Sequence, residues 1–107
     1  MNQFAFTFTP VTIVGTIEER FEAFHAANPR VYEELLAMAL RLRERGRKRY
    51  GIATLFEVLR YRSDLTTTGS GGFKLNNDFR ALYARRLMDN EPELVGFFST
   101  RKRRGET

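Results

Sequence analysis

The run Asn28-Pro29-Arg30-Val31-Tyr32-Glu33-Glu34-Leu35-Leu36-Ala37-Met38-Ala39-Leu40-Arg41-Leu42-Arg43-Glu44-Arg45-Gly46 decides the fold class. Asn28 is a helix-capping residue type, and Pro29 suits the first helical position, where its missing N–H would have no intrahelical partner. At 100° per residue, Val31, Leu35, Met38 and Leu42 line one narrow face, and Tyr32, Leu36, Ala39 and Leu40 widen it to about half the circumference. The pattern predicts a long helix to Arg45 at the centre of a mainly helical domain, ended by Gly46 in the left-handed conformation. Its last turns carry Arg41, Arg43 and Arg45, which suit the negative end of the helix dipole with or without a ligand.

On the N-terminal side, Thr16-Ile17-Glu18-Glu19 has the form of a capping box, and Ile17, Phe21 and Phe24 form the apolar stripe of the helix it starts. His25 falls at the edge of that stripe. It is expected to be a boundary residue with a satisfied ring nitrogen rather than a catalytic group. Before the helix, residues 1–15 read as an extended arm. Phe4, Phe6 and Phe8 alternate with small or polar residues, as on one face of a strand, and Val11 to Val14 suit a second short strand. Three Phe on one face need a cover, either the protein's own core or a second copy in a homodimer.

Towards the C-terminus, Tyr50-Gly51-Ile52 suits a very short strand or turn. Ala53 to Arg62 return to the helical period, with Leu55, Phe56, Val58 and Leu59 on one side. The stretch Leu65 to Gly72, with three glycines in four residues, reads as a mobile loop. Its glycine spacing matches no phosphate-cradling motif. Asn76 can cap a fourth helix from Asn77 to about Asp89, stopped near Glu91-Pro92. Phe79, Leu82, Tyr83 and Leu87 make its apolar face, and Asn77, Ala81 and Ala84 lie on the face assigned to the outside. Arg86 falls inside the apolar face and calls for a carboxylate such as Glu57. Leu94 to Thr100 suits a C-terminal strand, followed by a basic tail at 101–107.

The 107 residues fit a single domain with one core, and the ten Phe and 42% hydrophobic content argue for a folded chain. With no cysteine and one histidine, disulfides, thiolate metal sites and histidine-rich metal sites are excluded. No apolar run has the length of a membrane span and no signal peptide is visible, so a cytoplasmic protein without membrane contact is expected. The net charge of +5 is uneven: residues 1–40 carry −3, 41–62 carry +6, 63–100 carry −1 and 101–107 carry +3. Two basic clusters of this kind attract polyanions, though each also serves as a solvated surface.

The element order from residue 29 onwards parallels a winged helix-turn-helix, giving an expected fold of mainly α (α+β) class with short N- and C-terminal strands. In that arrangement the helix from Asn77 enters the major groove. Asn77 and Arg80 reach base edges, and Lys74 and Arg85 touch phosphate. Arg47, Lys48 and Arg49, with Arg101, Lys102, Arg103 and Arg104, hold the flanking backbone. Against it stand the thirteen residues between Arg62 and Asn76, where a helix-turn-helix has a tight turn, and the acidic Asp78 and Asp89 on the recognition helix.

The segments Phe24-His25-Ala26-Ala27-Asn28-Pro29-Arg30-Val31-Tyr32, Tyr50-Gly51-Ile52 with Phe56-Glu57-Val58-Leu59-Arg60, and Phe73-Lys74-Leu75-Asn76-Asn77 with Glu91-Pro92-Glu93-Leu94 resemble a family of small uncharacterised phage and prophage proteins. The resemblance spans roughly residues 17–104 and implies a phage-related setting, with no activity or site residues attached. The expectation is therefore a DNA-binding accessory or regulatory protein. The alternative is a phage factor that binds and modulates a host or phage protein, such as an inhibitor of host defence. No enzyme, cofactor or metal is expected: Glu57, Asp64 and Asp78 could in principle gather a Mg²⁺, but capping and ion pairing explain them more simply.

Overall fold

The computed structural model describes residues 15–66 and 75–99, and they form four helices: α1 (Ile17–Ala27), α2 (Pro29–Glu44), α3 (Ile52–Thr66) and α4 (Arg80–Asn90). Short 3-10 turns at Asn77–Phe79 and Pro92–Leu94 precede and follow α4. The capping box that opens α1 is formed, with the Glu19 amide donating to Thr16 Oγ1 at 3.1 Å and the Thr16 amide donating to Glu19 Oε1 at 2.8 Å. Donation from the Thr16 amide, and secondarily from the Thr16 hydroxyl, holds the Glu19 carboxyl below the usual carboxylate range.

One residue, Asn28, separates α1 from α2, and Pro29 occupies the first turn of α2 as its sequence predicts. The Asn28 side chain does not cap α2, however. It turns back, its Nδ2 donating to the Phe24 carbonyl at 3.1 Å, and so finishes α1 instead. At the other end of α2, Gly46 has φ +95°, the Gly46 amide donates to Arg43 O and the Arg47 amide donates to Leu42 O. This paired hydrogen bonding closes the helix and turns the chain sharply into Arg47.

The buried side chains of all four helices form one cluster with Leu75, Leu94, Phe97 and Phe98. α2 is central, packing against α1, α3, α4 and the Pro92–Leu94 turn. Val31, Leu35 and Ala39 are fully buried on its inner face. Each large apolar side chain so buried contributes about 1.5–3 kcal/mol.

The described residues contain no β-strand, so the expected α+β winged helix-turn-helix is replaced by an all-helical four-helix domain. Leu94 closes the 3-10 turn Pro92–Leu94, and residues 95–99 make a turn at Gly96 (φ +74°) and a single isolated parallel bridge between Phe98 and Tyr50. The reason is in the burial. Phe97 and Phe98 are successive and both buried, whereas a one-sided strand would send them to opposite faces. Tyr50 likewise contributes only that bridge before α3 begins at Ile52.

Helix α3 also runs further than its periodicity predicts, taking in Leu65 and Thr66 from the expected loop. Ala84, assigned to the outward face, is completely buried. Packing of α4 against both α2 and α3 leaves that small side chain between helices rather than against a ligand. The Phe4, Phe6 and Phe8 strand and its homodimer lie outside the described residues. Among those described there is no strand edge for such a segment to extend, which removes the basis for the strand-mediated dimer.

Candidate nucleic-acid interface

The α4 surface expected to read DNA is engaged within the protein. Arg60 of α3 reaches across to it, Nη2 donating to the Leu75 carbonyl at 2.8 Å and to Asn77 Oδ1, while Nη1 pairs with Glu57. Arg80 Nε donates to the Asn77 carbonyl at 3.2 Å. Asn76 accepts from the Asp78 amide at 2.9 Å, starting the 3-10 turn that leads into α4. Asn77 thus joins the start of α4 to α3, Arg80 bonds back within its own turn, and Arg85 on α4 is half-buried and engaged. Lys74 and Arg101 to Arg104 lie outside the described residues.

Arg86 is half-buried, as its place in the apolar face demands, but its carboxylate partner is Glu22 of α1 rather than Glu57. Its guanidinium also sits 5.2 Å from the centre of the Phe21 ring. Behind it, His25 stacks on Phe21 at 5.9 Å and packs against Tyr32 and Tyr83. His25 Nδ1 and the Tyr83 hydroxyl are both buried without a hydrogen-bond partner, so the satisfied ring nitrogen expected of His25 is not its Nδ1. Burial, and secondarily the Arg86 charge, push the His25 pKa below its ordinary value despite the opposing charge of Glu22. Burial raises that of Tyr83. Among the described residues no group of three potential metal ligands exists, and no helix is long and apolar enough to cross a membrane.

The remaining concentration of charge is at the C-terminal end of α2. Between Arg41 and Arg49 stand six cations, Arg41, Arg43, Arg45, Arg47, Lys48 and Arg49, against the one carboxylate of Glu44, and all seven residues are exposed. The helix dipole explains cations only in the last turn, where its end carries about −0.5 charge. Arg47, Lys48 and Arg49 lie beyond that turn and are gathered there by the bend at Gly46. Among the described residues none of Arg41, Arg45, Arg47, Lys48 and Arg49 is held in an ion pair.

The C-terminal segment is fastened to the same end. Arg43 Nε donates to the Glu93 carbonyl at 3.3 Å, and the Tyr50 amide donates to the Phe97 carbonyl at 3.0 Å beside the Tyr50–Phe98 bridge. Sequence reasoning identifies the two basic clusters but not this attachment. It depends on tertiary contacts between residues far apart in the chain.

Between α2 and α3 this end opens into a cleft of about 260 Å³, lined by Met38, Arg41, Leu42, Arg45, Tyr50, Leu55 and Arg62. Arg62 is oriented by Glu34, Nη1 donating to Oε2 at 2.9 Å. The cleft has an apolar floor and a cationic rim, and no spacing rule singles out the set, because three different segments supply it. Comparison of the chain with protein-family models, curated proteins and solved structures finds no match.

Proposed function

We propose that this protein binds nucleic acid by contacts to the phosphate backbone, made by the exposed cations from Arg41 to Arg49. The observation that carries this reading is the run Arg47-Lys48-Arg49, held beyond the α2 terminus and free of carboxylate partners among the described residues. Charge at this density recruits polyanions by releasing their condensed counterions. The basic tail Arg101 to Arg104 follows in sequence from Ser99, directly after the segment that Tyr50 fastens to this end.

Fluorescence polarisation with a labelled random duplex tests the proposal. Six phosphate contacts correspond to a slope of about −5 in log affinity against log salt. Replacing Arg47, Lys48 and Arg49 together by Ala is expected to flatten that slope by about 3. Absence of binding at low salt, or binding indifferent to salt, would overturn the reading. A protein-binding role, the second reading, draws on exposed Tyr61 and Leu65, one turn apart on α3. Two scattered apolar side chains are ordinary on a surface, so that observation is the weaker one.

A further inference from the structure

We infer that the cleft between α2 and α3 holds one unpaired base of a single-stranded nucleic acid, with the strand's phosphates on its arginine rim. This deepens the proposed backbone binding and rests on it.

The lining divides by chemistry. Met38, Leu42 and Leu55 supply an apolar floor, and Tyr50 supplies an aromatic ring at the wall. Arg41, Arg45 and Arg62 supply positive charge on both helices. An occupant must therefore combine an apolar face with negative charge. A nucleotide within a strand does so, its base suited to the floor and ring and its phosphates to the guanidinium groups, as in platforms that bind single strands without reading their sequence.

Size narrows the occupant further. At about 260 Å³ the cleft lies just below the range of roughly 300–1,000 Å³ typical of whole small-molecule sites, which suits a single base better than a cofactor. A base inside a duplex cannot present its face, so the occupant must be unstacked.

The rim also favours an extended anion over a lone carboxylate. Arg62 is held by Glu34, so its charge is partly neutralised while its position is fixed. Arg41 on α2 and Arg45 at its C-cap lie one turn apart and have no carboxylate partner among the described residues. Two exposed guanidiniums in line, continuing into Arg47, Lys48 and Arg49, follow a phosphate chain more naturally than an isolated group.

The test compares binding of two labelled oligonucleotides of equal length and phosphate number, one oligothymidine and one carrying abasic sites throughout. The expected result is at least about fivefold tighter binding of the oligothymidine, as stacking of one base on an aromatic ring provides. In Tyr50→Leu that ratio should fall towards one while the salt slope stays unchanged. Equal binding of the two oligonucleotides by the unaltered protein would overturn the base site while leaving backbone binding intact. Failure to bind either at low salt would remove both proposals. Displacement by polyglutamate as efficient as by unlabelled oligothymidine would also overturn the inference, assigning the cleft to an acidic peptide. The comparison on the unaltered protein decides the matter even if Tyr50→Leu fails to fold.

Discussion

Tyr83 is completely buried, and its hydroxyl finds no hydrogen-bond partner. An isolated buried hydroxyl costs its lost hydration without return, so Tyr83→Phe is expected to raise unfolding free energy by about 1 kcal/mol, read from urea denaturation. His25, beside it, contributes a dependence on pH. Its unfolded-state value is about 6.5 and its folded-state value is lower, because burial and Arg86 oppose the imidazolium. Above the unfolded value the stability it contributes is fully present. As pH falls the unfolded chain takes up the proton first, and that stability drains away until pH has passed through the folded-state value. The melting temperature should therefore decline from roughly pH 7 to pH 5, and His25→Phe, which can keep the stack on Phe21, should flatten that interval. The edge position of His25 was legible from periodicity. Its missing partner was not, because hydrogen-bond satisfaction depends on α2 and α4 closing over the ring.

Helix starts and stops were the most legible elements. Thr16 with Glu19, Pro29, Gly46 and Asn76 mark boundaries through local chemistry that needs no tertiary context, and the structure has a helix boundary at or within one short turn of each. Gly46 offers a clean test, since a Cβ there would meet nothing within 4 Å while the backbone lies at φ +95°. Gly46→Ala should thus cost about 1 kcal/mol through backbone conformation alone, measured by denaturation, with Gly46→Asn costing less. The aromatic run at the C-terminus was misleading for the opposite reason. Leu94 to Phe98 has the composition of a strand, but strand formation depends on a partner, and only Tyr50 is available to it among the described residues. Similarly, α3 extends through Leu65, whose side chain is exposed, so no apolar period could mark the last turn.

At the scale of the molecule, the charge clusters were legible by counting and their attachment was not. The winged-helix order led to Asn77 and Arg80 as readers of bases; in the structure the Asn77 side chain accepts from Arg60 of α3, and Arg80 bonds back within its own turn. The cleft stayed invisible because Met38, Tyr50, Leu55 and Arg62 come together only when α2 and α3 pack. If the tail shares in polyanion binding, a chain ending at Ser99 should retain its helical circular dichroism yet show a salt slope on duplex shallower by about 3 to 4, for four cations removed. An unchanged slope would confine binding to the α2 end.

The Tyr50–Phe98 bridge also bears on how the molecule is made. Chains fold from the N-terminus as they are synthesised, and the first three helices precede Leu94, Phe97 and Phe98 in that order. Until those three buried side chains leave the ribosome, the core lacks part of its packing and Tyr50 lacks its partner. On a nascent chain the Arg41–Arg49 cluster therefore emerges before the segment from Leu94 to Phe98 can be anchored beside it, and the finished basic end is assembled only once that later segment is free to pack.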